Sequence, residues 1–229
     1  MKKAVVALIV VLVLGGVAYG GFIWYERSNE QEETSLSDTA AERADAPELT
    51  GSPDGEWAAG EGSRAGYRVE DEILRGATVT ATGYTDRVDG SITLADEGRK
   101  ITDATFTIDV SSIVSEGFGQ RDNAFRRVLE ADRFPTATFR LTKPVQLDAF
   151  PEEDAEISIP DVTGELTMHG VTKQVTFDAS AIRGGSRIDV KALVPVTYTD
   201  FGIQNPSNGV AKIGDSGLVD IAIGFTKPT

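Results

Sequence analysis

The chain has 229 residues, no cysteine and a formal net charge of −14. Lacking cysteine, it has no disulfide, no thiol nucleophile, no cysteine-ligated zinc and no lipid-modified cysteine anchor. The acidic balance argues against nucleic-acid binding, which needs clustered Lys and Arg, while 40% apolar residues suffice for a buried core.

Lys2 and Lys3 precede an uncharged run from Ala4 to Tyr25, about the length that spans a hydrocarbon core as a helix. The two lysines favour a cytoplasmic N-terminus with the bulk of the chain outside, Arg27 weighing weakly against them. Trp24 and Tyr25 stand where an interfacial aromatic belt would be. A cleaved signal peptide is the rival reading, because Ala18-Tyr19-Gly20 has small residues at the two positions a signal peptidase reads. The apolar run continues through Phe22 and Ile23 past that point, which favours an uncleaved single-pass anchor over residues 1–25. Both readings export the rest, as a domain held at the cell membrane or as a secreted one.

From Glu26 to Ser63 the composition turns to Glu, Asp, Ser, Ala, Gly and Pro, with eleven acids against two arginines. Such a segment buries too little apolar surface to offset its ordering entropy. A disordered acidic linker is expected over residues 26–56, a spacer rather than a partner-binding tail.

The exported domain, residues 57–229, reads as strand after strand. Gly66 to Val69, Ala77 to Tyr84 and Ser91 to Leu94 come first, followed by Ile101 to Val110 with Ala104, Phe106, Ile108 and Val110 on one face. Gln120 to Glu130 breaks the pattern: Ala124, Phe125, Val128 and Leu129 fall at helical spacing and Phe134-Pro135 closes the segment. This predicts one short helix packed across an end of the sheet. As a lid it would bring Arg121, Asp122, Arg126 and Arg127 to an entrance.

Pro135 to Thr142 gathers Ala137, Phe139 and Leu141, and Asp161 to Ala179 forms a hairpin turning at Gly170. Its limbs place Leu166 and Met168, then Val175, Phe177 and Ala179, on one face. Arg187 to Tyr198 alternates Ile188, Val190, Ala192, Val194 and Val196, and Gly217 to Phe225 ends with Val219, Ile221, Ile223 and Phe225. Eight or more such segments separated by Gly, Asp and Pro turns predict an all-β sandwich or closed antiparallel barrel, with no parallel βαβ unit.

Catalytic chemistry is sparse. The single histidine, His169, has no evident partners for a triad or a zinc cage, and a structural role at its turn is the simpler reading. No glycine-rich phosphate loop joins a strand to a helix. A closed barrel of about eight strands can instead hold one small ligand inside, because alternate residues point inward. Large Phe106, Phe139, Phe177 and Phe225 beside small Ala137, Ala179 and Ala192 suit either a filled core or an elongated apolar pocket.

Gly119-Gln120-Arg121-Asp122 leading into the short helix, then Phe134-Pro135-Thr136-Ala137-Thr138-Phe139, resembles the YceI-like family. So do Gly164 to Phe177, with Glu165-Leu166-Thr167-Met168-His169-Gly170 at its centre, Asp200-Phe201-Gly202-Ile203 and Ile213-Gly214-Asp215. The resemblance runs from about Trp57 to the C-terminus, loosest over its first residues.

It implies a lipocalin-like antiparallel β-barrel of the bacterial envelope that holds a long isoprenoid-type lipid, a polyprenyl chain or an isoprenoid quinone, and performs no catalysis. It implies no cofactor beyond that ligand. By position, the ligand-binding residues would be Phe106, Ile108, Phe139, Leu141, Leu166, Met168, Val175, Phe177, Val190, Val194, Ile221 and Ile223, with Arg121 and Asp122 at the closing helix. The anchor and acidic linker depart from a family whose members are often plainly secreted. Two other readings stay open: a membrane-anchored interaction module with a filled barrel, and an enzyme using His169 with a carboxylate.

Overall fold

The computed structural model describes residues 40–73, 77–115, 119–205, 207 and 211–227. The expected membrane helix, Ala4 to Tyr25, and the linker as far as residue 39 lie outside the described residues. Among the described residues no helix is long and apolar enough to cross a membrane.

Period-two apolar patterning in runs rich in Val, Ile, Thr and Phe favours strands with one buried face. The strands in chain order are β1 (Gly55–Ala59), β2 (Arg64–Ile73), β3 (Ala77–Thr85), β4 (Val88–Ala95), β5 (Lys100–Asp109), β6 (Thr136–Leu141) and β7 (Val145–Gln146). They continue as β8 (Glu156–Met168), β9 (Val171–Gly184), β10 (Arg187–Thr197), β11 (Ala211–Ile213) and β12 (Ser216–Thr226). Eight of them close a barrel in the order β1-β4-β5-β6-β8-β9-β10-β12, antiparallel throughout, with β12 bonded back to β1. The closed antiparallel barrel expected from the sequence is therefore present.

Where β1 ends, β2 takes its place along β12: Phe225 and Thr226 pair with β1, and Leu218 to Ala222 with β2. β3 pairs with β2 along nearly all its length, from Ala65↔Thr85 to Ile73↔Ala77, and β11 pairs with its last residues, Asp71 to Ile73. These three make a wing that carries the sheet on from β12 where β1 has ended.

Register sets the interior. Phe106 of β5 pairs with Phe139 of β6, which pairs with Leu166 of β8. On the far wall Val190 and Ala192 of β10 pair with Ile223 and Ile221 of β12. β8 carries a bulge between Ile159 and Val162, with Asp161 at φ +55°. The extra residue keeps both apolar side chains inward, where a regular strand would have turned one of them out. The β8–β9 hairpin turns through His169 (φ +53°) and Gly170 (φ +73°), the left-handed pair that suits a two-residue hairpin loop.

Among the described residues there are two α-helices, where the sequence predicts one short helix in the exported domain. Helix α2 (Gly119–Val128) corresponds to the expected Gln120–Glu130 helix. Helix α1 (Ala40–Ala44) lies in the stretch read as linker. The reason is a charge pairing. Arg43 Nη1 is 2.7 Å from Asp189 Oδ2, and Arg187 Nε is 2.7 Å from Asp189 Oδ1. All three side chains are buried on the outer wall, where Ser186 N also donates to Pro47 O at 2.8 Å. An acidic stretch that reads as solvated from its composition is held because one arginine in it finds a buried carboxylate.

A candidate ligand-binding cavity

The barrel interior is filled at its middle and open toward one end. Phe106 stacks on Phe139, ring centroids 5.2 Å apart at 9°, and Phe139 meets Phe177 edge-on at 5.4 Å. Phe225 closes the group at 6.2 Å from Phe106. Such aromatic contacts add about 0.5–1.5 kcal/mol each beyond the area they bury. This cluster forms a plug across the barrel.

Above it, toward the β8–β9 turn and helix α2, lies a cavity of about 220 Å³. Its floor and walls are Ile108 of β5, Ala137 of β6, Met168 of β8, Val196 of β10 and Gly217 to Val219 of β12. The wing contributes Gly66, Tyr67, Val69, Ala81 and Ile213, and the roof is Ala124, Phe125 and Val128 of α2 with Leu129 just after it. Tyr198 and Ile203 complete one side. None of the lining residues is ionisable to a charge at neutral pH, so a buried charge would meet no compensating partner there. Apolar chain is what this lining accommodates.

The roof is held by specific bonds. Asp122 Oδ1 accepts from Ser115 N at 2.8 Å and from Ser115 Oγ at 2.5 Å. Arg126 donates from Nε to Ser111 O at 2.9 Å and from Nη2 to Ile113 O at 3.2 Å. Phe125 stacks on Tyr67 at 4.2 Å and 17°. The helix is thus sewn to the chain segment after β5 by polar groups, and to the wing by an aromatic pair.

The sequence-derived residues divide accordingly. Ile108 and Met168 face the cavity. Phe139, Leu141, Leu166, Phe177, Val194, Ile221 and Ile223 are buried in the core below and around it, and Phe106, Val175 and Val190 are partly buried against that core. Asp122 fastens the roof, and the side chain of Arg121 lies outside the described residues. Arg127 Nε donates to Asn123 O at 3.2 Å within its own helix. Sequence reasoning did not place Tyr67, Val69, Ile203 or Ile213 at the cavity. Only the helical spacing of Ala124, Phe125, Val128 and Leu129 signalled its roof.

His169 stands beside this region rather than in it. Its Nδ1 is 2.9 Å from Phe201 O, and its Nε2 is 3.4 Å from Glu130 Oε1. The ring meets Phe134 edge-on at 5.1 Å. Asp109, at the end of β5, accepts from Ser111 Oγ and Arg87. The Ser111 hydroxyl first, then the Arg87 guanidinium, hold its carboxyl below 3.8.

Comparison with known proteins places this geometry. The YceI-like domain family matches residues 60–225. A UPF0312 protein of Pseudomonas aeruginosa (strain LESB58) is 32% identical over 124 residues, covering 51% of this chain and 60% of that protein. One from Enterobacter sp. (strain 638) is 33% identical over 123 residues, covering 50% and 59%. The chain thus spans about 60% of the length of these curated relatives. Among solved structures, a polyisoprenoid binding domain from Saccharophagus degradans superposes with a TM-score of 0.59 at 19% identity, covering 76% of this chain and 99% of that one. Burkholderia cenocepacia BcnA gives 0.52 at 16% identity, covering 70% and 95%. At these identities the likeness is one of fold.

Proposed function

The chain belongs to the YceI-like family, and on that premise we propose that it is a carrier that binds a long isoprenoid-type lipid by its hydrocarbon chain. The observation that carries this reading is the closed barrel with an uncharged apolar cavity under a helical roof. Each methylene buried there contributes about 0.8 kcal/mol, so a branched chain binds without headgroup recognition. The description of the Saccharophagus degradans fold neighbour as polyisoprenoid binding supports the isoprenoid class. A polyprenyl chain and the tail of an isoprenoid quinone are equivalent ligands by this criterion. The role proposed is binding and transport, not catalysis. The N-terminal sequence supports placing the barrel at the outer face of the cytoplasmic membrane, where such lipids reside.

Calorimetric titration with geraniol, farnesol and geranylgeraniol tests this. Affinity should rise along the series until the chain outgrows the cavity. Absence of binding by all three would move the reading to an interaction module with a filled barrel, which the aromatic plug otherwise favours.

A further inference from the structure

The barrel wall parts between β9 and β10. These strands form a hairpin whose pairing runs from Arg187↔Gly184 to Ala192↔Ala179 and stops there. Both strands continue. The further length of β9 stays bonded to β8 as far as Met168↔Val171, and β10 stays bonded to β12 as far as Thr197↔Ser216. Each strand is therefore held on its far side and open only toward the other. Pro195 stands on the open length of β10, bringing no N–H that could extend the ladder.

What occupies the gap is the next piece of chain. A 3₁₀ turn, Tyr198–Phe201, folds back from the end of β10 and closes on Gly202, whose φ of +68° reverses the backbone. Phe201 is 2% exposed. On its outer side, Phe201, Val175 and Val196 border a hollow of about 360 Å³ in the seam, whose rim is polar through Lys173, Gln174 and Asp200. On the inner side, Val196, Tyr198 and Ile203 line the apolar cavity. One short turn is all that separates an outer hollow from the inner one, and Val196 borders both.

We propose that this seam is the ligand's side entrance, with Phe201 as its plug. The inference rests on the carrier reading and adds the path by which the chain arrives. A roof sewn down through Asp122, Arg126 and Phe125 is a poor door. Phe201 belongs to no strand ladder, so it can swing out while Tyr198 N keeps its 3.0 Å bond to Asp215 O at the base of the turn, and an apolar chain passing between β9 and β10 meets Val175 and Val196 before the cavity. His169, bonded to Phe201 O and adjacent to Glu130 just after α2, latches the plug to the roof.

The test uses a covalent strap. Gln174 of β9 and Thr197 of β10 are exposed and border the same seam hollow, one on each strand. The full chain has no cysteine of its own, so Gln174→Cys with Thr197→Cys can be bridged by a bismaleimide across the seam. Geranylgeraniol uptake is then followed by native mass spectrometry in bridged and unbridged samples of the same variant. Bridging before the lipid is added should slow uptake at least tenfold, and bridging after loading should slow release equally. Equal rates in bridged and unbridged protein would overturn the side entrance while leaving the carrier reading standing. No uptake by the unsubstituted chain would overturn both.

Discussion

The Nδ1 of His169 lies 2.9 Å from the carbonyl oxygen of Phe201, joining the β8–β9 turn to the turn after β10. A carbonyl only accepts, so Nδ1 carries the proton and donates. His169→Ala removes this bond and the edge-on contact with Phe134. Unfolding free energy should fall by about 1–2 kcal/mol, and Tm by roughly 2–4 °C per kcal/mol for a domain of this size. Thermal unfolding indistinguishable from the parent would remove the latch from the account.

Phe139 touches both Phe106 and Phe177, and Ala137, the next residue on its face of β6, lines the cavity. Phe139→Ala should cost about 3–5 kcal/mol in denaturant unfolding, and it should deepen the cavity. Prenols longer than the parent accepts would then bind. Loss of stability with no change in the length limit would mean that the plug is not the cavity floor.

The carboxylate of Asp189 bonds Arg43 through one oxygen and Arg187 through the other. Replacing it with Asn removes the charge that two buried guanidinium groups share, a change worth about 3–5 kcal/mol of destabilisation. The urea midpoint should drop accordingly, and α1 should become accessible to protease. A midpoint unchanged within error would show that residues 40–50 are held by packing alone.

Asp109 has a lowered folded pKa, so it contributes stability at pH values above the ordinary carboxylate value of 3.8, lost as pH falls below it. Asp109→Asn should be less stable than the parent near neutrality by a gap that stays constant down to about that value and then narrows. Parallel unfolding curves through acid would contradict the assignment. The effect is small because Arg87 is exposed and its share is screened by solvent.

The period-two runs made the barrel legible: Ile188 to Val196 and Val219 to Phe225 turn inward as their alternation requires. Alternation says which face is buried but not which end is empty. The pocket inferred along the whole barrel therefore becomes, in the structure, a packed aromatic half and an open half at α2. The Arg43–Asp189 pair spans residues far apart in the chain, and nothing local announces it. Pro195 was a readable signal, since a proline inside a strand pattern marks an edge, and the wall opens at that strand. The lining from Tyr67, Val69 and Ile213 depends on the wing pairing along β12, a tertiary placement that no local pattern encodes.

The most direct measurement of the central claim is native mass spectrometry of the full chain purified from a bacterial host, followed by organic extraction of whatever it carries. The account predicts a complex of one isoprenoid chain per protein, released on Phe125→Glu, which puts a charge into the roof of the cavity. An apo mass that stays unchanged after incubation with geranylgeraniol and with an isoprenoid quinone would contradict it.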